Sequence, residues 1–309
     1  MHFVAQPGGC EIGLRPIDLH IKGLMALGAK LDEGMAELTC EHGLIGGEVH
    51  LDYPSVGATE NIMMAAVLAK GTTTIHNAAR EPEIVDLMNF INAMGGRVRG
   101  AGSSNIVVEG VSRLQGVEYQ VIPDRIVAGT YMAAAAITGG DVLLENVVYE
   151  HVFAIAAKLR DTGCRVERAG RTLRVSGLAR PRAVNRLETL PYPGFPTDMQ
   201  AQLMSVLCVA DGTSIVVENV FENRFKHAAE LNRMGADITI KDRLALVRGV
   251  SRLSGTTVCA RDLRAGAALV LAGLRAEGET TVEGVHYIDR GYERLVEDLR
   301  TLGADIRRI

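Results

Sequence analysis

Val85-Asp86-Leu87-Met88-Asn89-Phe90-Ile91-Asn92-Ala93-Met94-Gly95-Gly96 is the stretch whose reading decides the fold. Val85, Leu87, Met88, Phe90, Ile91 and Met94 recur at helical spacing, and the run stops at a glycine pair. Apolar residues at that spacing specify an amphipathic helix. A glycine just past the last turn supplies the positive φ that a helix C′ position needs. The same stop returns as Leu27-Gly28-Ala29, Thr162-Gly163-Cys164, Met234-Gly235-Ala236 and Leu302-Gly303-Ala304. The five glycines lie 67, 68, 72 and 68 residues apart, and a fixed period of this length marks a repeated supersecondary unit.

Between these stops lies a second recurring element: an Ala-rich, almost wholly apolar helix, a turn, and a β-branched strand. Its copies are 57–75, 128–144, 197–216 and 264–282, turning at Lys70-Gly71, Gly139-Gly140, Asp211-Gly212 and Glu277-Gly278. A helix apolar on nearly every side belongs in a core. Each period of about 70 residues thus reads as a βαβαββ unit with one buried and one amphipathic helix. Helix and strand in alternation predict the α/β class, with helices packed inside layers of sheet. Five stops but four buried helices make the chain look truncated at its N-terminus relative to its own period.

Composition narrows the function. The chain has 309 residues, 47% of them hydrophobic and 23% charged, with a net charge of -4. That suffices for two domains with real cores. Without a basic footprint, and with 4% aromatic residues and no Trp, nucleic-acid binding is not expected. Cys10, Cys40, Cys164, Cys208 and Cys259 are odd in number and form no CxxC pair, so neither a disulfide framework nor a zinc cluster is predicted. The last four fall in strand or buried-helix patterns and read as small core hydrophobes. No metal-ligand spacing and no dinucleotide fingerprint appear, so no metal or cofactor is expected. No secretory signal or membrane-length apolar run is seen, which points to the cytoplasm and no membrane partner.

Near the start, Pro7-Gly8-Gly9-Cys10-Glu11-Ile12-Gly13-Leu14-Arg15-Pro16 reads as a glycine-rich loop. A thiol there, close to a guanidinium, is either an ordinary surface cysteine or a reactive one with a lowered pKa.

This loop resembles the reactive-cysteine loop of the UDP-N-acetylglucosamine 1-carboxyvinyltransferases, the enolpyruvyl transferases of peptidoglycan synthesis. The resemblance continues, in family order, through 54–59, 77–86, 195–202, 221–224, 262–264 and 286–294, essentially the whole chain. It implies two lobes, each an inside-out α/β barrel of three βαβαββ units. Residues 1–122 would be a first lobe with about two of its three units. Residues 123–309 would be the second, beginning at Pro123-Asp124-Arg125 and lacking a strand normally given by the chain start. The family's Lys-Asn pair and Arg that bind phosphoenolpyruvate have no counterpart here, which raises a complementing N-terminal segment as a partner. Some relatives have Lys where Tyr53 stands, and the family pattern has an acidic residue where this chain has Val127.

The resemblance also implies roles. Cys10 would be the general acid toward C3 of phosphoenolpyruvate and form an adduct at C2. Asp198 would take the proton of the sugar 3′-hydroxyl. A carboxylate at the edge of an apolar segment is expected to have its pKa raised by burial, although Asp198 or Thr197 could instead cap a helix. Arg290 would meet the carboxylate or phosphate of phosphoenolpyruvate. The nucleotide sugar would contact Arg15, Pro16, Ile17, Asp18 and Leu19, with Tyr53, Pro54, Ser55, Val56 and Gly57 at a helix N-terminus suited to a diphosphate. Val220, Arg224, Asp262 and Arg264 complete the set, the last two with a structural ion pair as the other reading. Arg80, Glu81, Glu83 and Asp86 read equally as cleft residues or as a solvated face.

The implied reaction moves enolpyruvyl from phosphoenolpyruvate to UDP-N-acetylglucosamine and releases phosphate. The alternatives are a truncated, non-catalytic chain that binds a UDP-sugar or a complementing partner, and a shikimate-type enolpyruvyl transferase.

Overall fold

The computed structural model describes residues 17–32 and 37–309, which fall into two compact units. One comprises residues 17–122 with Pro191–Pro193; the other comprises Pro123–Leu190 and Gly194–Ile309.

The first unit opens with α1 (Asp18–Ala26) and the antiparallel pair β1 (Lys30–Asp32) and β2 (Glu37–Thr39). A full repeat follows: β3 (Glu48–His50), α2 (Val56–Ala66), β4 (Thr72–His76), α3 (Pro82–Ala93), β5 (Arg97–Arg99) and β6 (Asn105–Glu109). Its sheet runs β3-β4-β6-β5, with β3 parallel to β4 and the other pairs antiparallel. Val49, Leu51, Ile62, Met63, Ile75, Ile84 and Ile106 form its core, each at most 1% exposed.

The second unit repeats the plan. It begins with α4 (Arg125–Thr138), β7 (Asp141–Leu144), α5 (Tyr149–Asp161), β8 (Arg165–Ala169) and β9 (Thr172–Ser176), whose sheet runs β7-β9-β8. Next come β10 (Arg186–Glu188), a 3-10 turn (Thr197–Met199), α6 (Gln200–Cys208), β11 (Thr213–Val217), α7 (Lys226–Arg233), β12 (Asp237–Lys241) and β13 (Leu244–Arg248). The sheet β10-β11-β13-β12 has the order and strand directions of the sheet in the first unit. The chain closes with β14 (Thr257–Cys259), α8 (Leu263–Arg275), β15 (Thr281–Glu283), a 3-10 turn (Val285–Tyr287) and α9 (Leu295–Thr301). β14 and β15 pair in parallel.

The recurring glycine does what its pattern predicts. Gly28, Gly95, Gly163, Gly235 and Gly303 all have φ between 91° and 96°, each just after a helix. A side chain three residues before three of them then ties the helix to the next strand. Asn92 donates to the Val98 carbonyl and accepts from the Val98 N–H, both at 2.8 Å. Asn232 repeats this with Ile238, at 2.9 and 3.0 Å. In α5 Arg160 takes the place, donating to the Val166 carbonyl at 2.9 Å.

Three of the four apolar helices are buried as expected; α2 is not, since Met64 on it is 52% exposed and Leu68 just after it 59%. Every residue of α6 is buried, as are nine positions of α4 and eight of α8. Of the cysteines, Cys164 and Cys208 are buried, whereas Cys40 and Cys259 are only half-buried; Cys40 lies just past β2 and Cys259 ends β14, where cover is thinner. No helix among the described residues is long and apolar enough to cross a membrane.

Candidate active site

In the second unit, two guanidiniums from separate segments, those of Arg224 and Arg264, converge on Asp198. The 3-10 turn Thr197–Met199 forms where the chain leaves Pro196 and enters α6. Neither Asp198 nor Thr197 caps that turn. Asp198 Oδ1 instead accepts from Arg224 Nη2 at 2.6 Å, and Oδ2 accepts from Arg264 Nη2 at 3.2 Å and Nε at 3.3 Å. The Asp198 side chain is 39% exposed, while those of Arg224 and Arg264 are 4% and 13% exposed. The carboxylate thus faces outward from two guanidiniums that are themselves shielded.

This geometry corrects the expected direction of its pKa. Burial pushes the Asp198 carboxyl up, but Arg224 and Arg264 outweigh it and hold the group below the usual carboxylate range. Asp198 is therefore ionised at neutral pH.

Each arginine is held from behind. Arg264 sits in the first turn of α8, and Asp262 caps that helix, its Oδ1 accepting from the N–H groups of Arg264 and Ala265 at 2.9 Å. Arg264 Nη1 donates to the Tyr292 hydroxyl at 3.3 Å, and that hydroxyl pairs with Thr130 Oγ1 of α4 at 2.8 Å. Arg224 Nη1 donates to Thr197 Oγ1 at 3.0 Å, and its guanidinium lies 5.2 Å from the Phe221 ring centroid. Fully buried Glu218 accepts from Thr197, Thr189 and the N–H groups of Val220 and Phe221. Beside Arg224, buried His227 has no partner on Nε2, and burial lowers its pKa to about 4 despite the attraction of Asp262.

The first unit brings together another part of the expected set. Ile17 precedes α1, and Asp18 and Leu19 lie in its first turn. Tyr53 and Pro54 lead into α2, which Ser55 caps by accepting from the Ala58 N–H at 3.4 Å. The starts of α1 and α2 are side by side: a Cβ built on Gly57 would stand 3.2 Å from His20 Nε2, and one on Gly23 only 2.2 Å from Ile62. Val56 and Gly57 open α2. Two adjoining helix N-termini favour an anion.

The charge cluster at α3 is mixed: Arg80 is exposed, Glu83 and Asp86 are half-buried and Glu81 is buried. Glu81 is 9% exposed and accepts from the Tyr192 N–H at 3.3 Å, and Asp86 accepts from the Tyr119 hydroxyl at 2.8 Å. Burial and the nearby Glu83 and Glu81 raise the pKa of Glu60. Arg290 is exposed, two residues before the anchored Tyr292. Cys10, Arg15 and Pro16 lie outside the described residues. Among the described residues, no three His, Cys, Asp or Glu side chains converge as metal ligands would.

The chain is 54% identical over 308 residues to UDP-N-acetylglucosamine 1-carboxyvinyltransferase 2 of Caldanaerobacter subterraneus subsp. tengcongensis, with 99% of this chain and 74% of that one covered. It is 58% identical to UDP-N-acetylglucosamine 1-carboxyvinyltransferase 1 of Symbiobacterium thermophilum, covering 99% and 70%. The chain belongs to the UDP-N-acetylglucosamine 1-carboxyvinyltransferase family. The broader family model described as EPSP synthase (3-phosphoshikimate 1-carboxyvinyltransferase) matches residues 2–299. Among solved structures, the enolpyruvyl transferase NikO from Streptomyces tendae matches with a TM-score of 0.84 at 26% identity, covering 95% of this chain and 72% of that one. EPSP synthase from Acinetobacter baumannii shares the fold, with a TM-score of 0.68 at 21% identity, covering 96% and 72%.

Within this enolpyruvyl-transferase fold, the groups that sequence reasoning missed are Glu218, His227, Tyr292 and Thr130. Tyr292 lies inside the 286–294 stretch but carries no local signal of its contacts. Glu218 follows a plain strand, Ser214-Ile215-Val216-Val217, and only the fold reveals that it is buried.

Proposed function

We propose that this chain transfers the enolpyruvyl group of phosphoenolpyruvate to the 3′-hydroxyl of UDP-N-acetylglucosamine with release of phosphate, the first committed step of peptidoglycan synthesis, in the cytoplasm. The observation that carries this reading is identity of 54 to 58% with relatives of that name along 99 to 100% of the chain. The ionised carboxylate of Asp198 between two shielded guanidiniums supports it chemically.

A proton added to C3 of phosphoenolpyruvate makes C2 cationic. Attack by the sugar 3′-oxygen then forms a C2–O bond while the hydroxyl proton passes to Asp198. Loss of a C3 proton and cleavage of the C2–O bond to phosphate complete the exchange. Cys10 is assigned the C3 proton transfer, and Arg290 the carboxylate or phosphate of phosphoenolpyruvate. Because two guanidiniums hold Asp198 ionised, it becomes an effective base only as charge on C2 acidifies the attacking hydroxyl. The starts of α1 and α2, with Ile17 to Leu19 and Tyr53 to Gly57, are assigned the nucleotide diphosphate, and Val220 and Asp262 the sugar nucleotide.

Phosphate release from phosphoenolpyruvate, measured with UDP-N-acetylglucosamine or with shikimate 3-phosphate, tests the assignment. Release with the nucleotide sugar alone is expected. Release with shikimate 3-phosphate instead would overturn it. Running the assay with and without an added N-terminal segment of a relative tests whether a complementing partner is needed.

A further inference from the structure

We propose that Glu218 is a positioning residue for this reaction: through Thr197 it fixes the Arg224 guanidinium against Asp198, and through two main-chain N–H groups it fixes Val220 and Phe221. The inference rests on the transfer reaction proposed above.

Glu218 follows β11 and is fully buried. Its Oε1 accepts from Thr189 Oγ1 at 2.9 Å, Thr197 Oγ1 at 3.0 Å, Val220 N at 2.9 Å and Phe221 N at 3.2 Å, and its Oε2 accepts from Thr197 Oγ1 at 2.9 Å. A carboxylate withdrawn from water is costly unless hydrogen bonds or a cation compensate it. Here hydroxyls and backbone amides do so, and the nearest guanidinium stands one hydroxyl away.

That hydroxyl gives the chain its direction. Thr197 has one O–H to donate, and Glu218 accepts that hydrogen bond. The Thr197 oxygen is then left to accept, and Arg224 Nη1 donates to it at 3.0 Å. Arg224 Nε has no hydrogen-bond partner, so the guanidinium plane is set by Thr197, by Asp198 at 2.6 Å and by the Phe221 ring. Glu218 holds two of those three contacts, Thr197 by its hydroxyl and Phe221 by its N–H. The other oxygen of Asp198 is held independently, by Arg264 backed by Tyr292. Loss of Glu218 should therefore disturb one side of the carboxylate and leave the other anchored.

The two arms of Glu218 can be separated in the full chain. Expected for E218Q are a kcat lower by roughly tenfold or more and a several-fold higher KM for UDP-N-acetylglucosamine, because both arms are disturbed. T197V should lower kcat comparably while KM for the nucleotide sugar stays within about twofold, since Val220 and Phe221 keep their acceptor. T197S restores the hydroxyl and should recover most of the lost rate. Melting curves and near-UV circular dichroism report whether each variant folds. If E218Q does not, the T197V and T197S pair decides alone. The Nη signals of Arg224 in 15N-labelled protein, assigned by their loss in R224K, should stay resolved in T197S and merge in T197V. Equal kcat and equal Arg224 signals in T197V and T197S would overturn the proposal. Absence of turnover in the unmodified chain would instead count against the transfer reaction, and the Arg224 signals would still test the inference.

Discussion

Asp198 is kept charged by its neighbours, and this sets what its replacement should do. On the proposed mechanism D198N retains the shape but removes the proton acceptor, so phosphate release should fall by roughly 10²- to 10⁴-fold, measured at saturating substrates. Asp198 and His227 both contribute to the response to acid. Because the folded pKa of Asp198 lies below the ordinary 3.8, its contribution to stability is present above that value and is lost only as pH falls through the lower folded one. His227 acts earlier. Its pKa falls from 6.5 unfolded to about 4 folded, so between those values the unfolded chain binds a proton that the folded chain refuses. The His227 contribution to stability should fall as pH drops through that window, with a slope approaching ~1.4 kcal/mol per pH unit, and level off below it. Urea midpoints at pH 7 and pH 5 should differ less for H227Q than for the unmodified protein.

At the scale of elements, the repeat rests on two small devices. One is the asparagine clamp. N92A or N232A removes both partners of a strand residue that has its N–H and carbonyl in a partly buried setting. Each should cost about 1–3 kcal/mol in chemical denaturation. The other is the glycine that ends the last strand of a repeat. A Cβ on Gly110 would stand 1.7 Å from the Ala69 carbonyl oxygen, and one on Gly249 equally close to that of Ala210. In both places the chain passes directly over the end of a helix, α2 or α6. G249A must move backbone apart, and a loss of roughly 1–3 kcal/mol is expected from thermal or urea unfolding. An equal melting temperature for G249A would show that the helix end yields without strain.

For the whole molecule, ligand binding and folding are linked. UDP-N-acetylglucosamine at 100 times its Kd should stabilise the binding-competent chain by about 2.7 kcal/mol, seen as a raised melting temperature. Shikimate 3-phosphate should not reproduce it. The effect should shrink in S55A only if the start of α2 takes part, which makes that variant a check on the anion assignment in the first unit.

Sequence alone determined the architecture, because helix periodicity, glycine stops and turn positions are local requirements that each stretch carries within itself. Gly95 needs a left-handed backbone whatever packs against it, and α6 carries no charged residue and is largely apolar wherever it ends up. Motif likeness likewise picked out Asp198, Arg224, Asp262 and Arg264. Only the tertiary structure decided how these behave. Whether a carboxylate is raised by burial or lowered by cations depends on groups 26 and 66 residues away. The isolation of Glu218 and His227 from water, and the anchoring of Arg264 by a tyrosine 28 residues on, are equally non-local. Burial and electrostatic environment are sums over neighbours in space, and a linear pattern does not contain them.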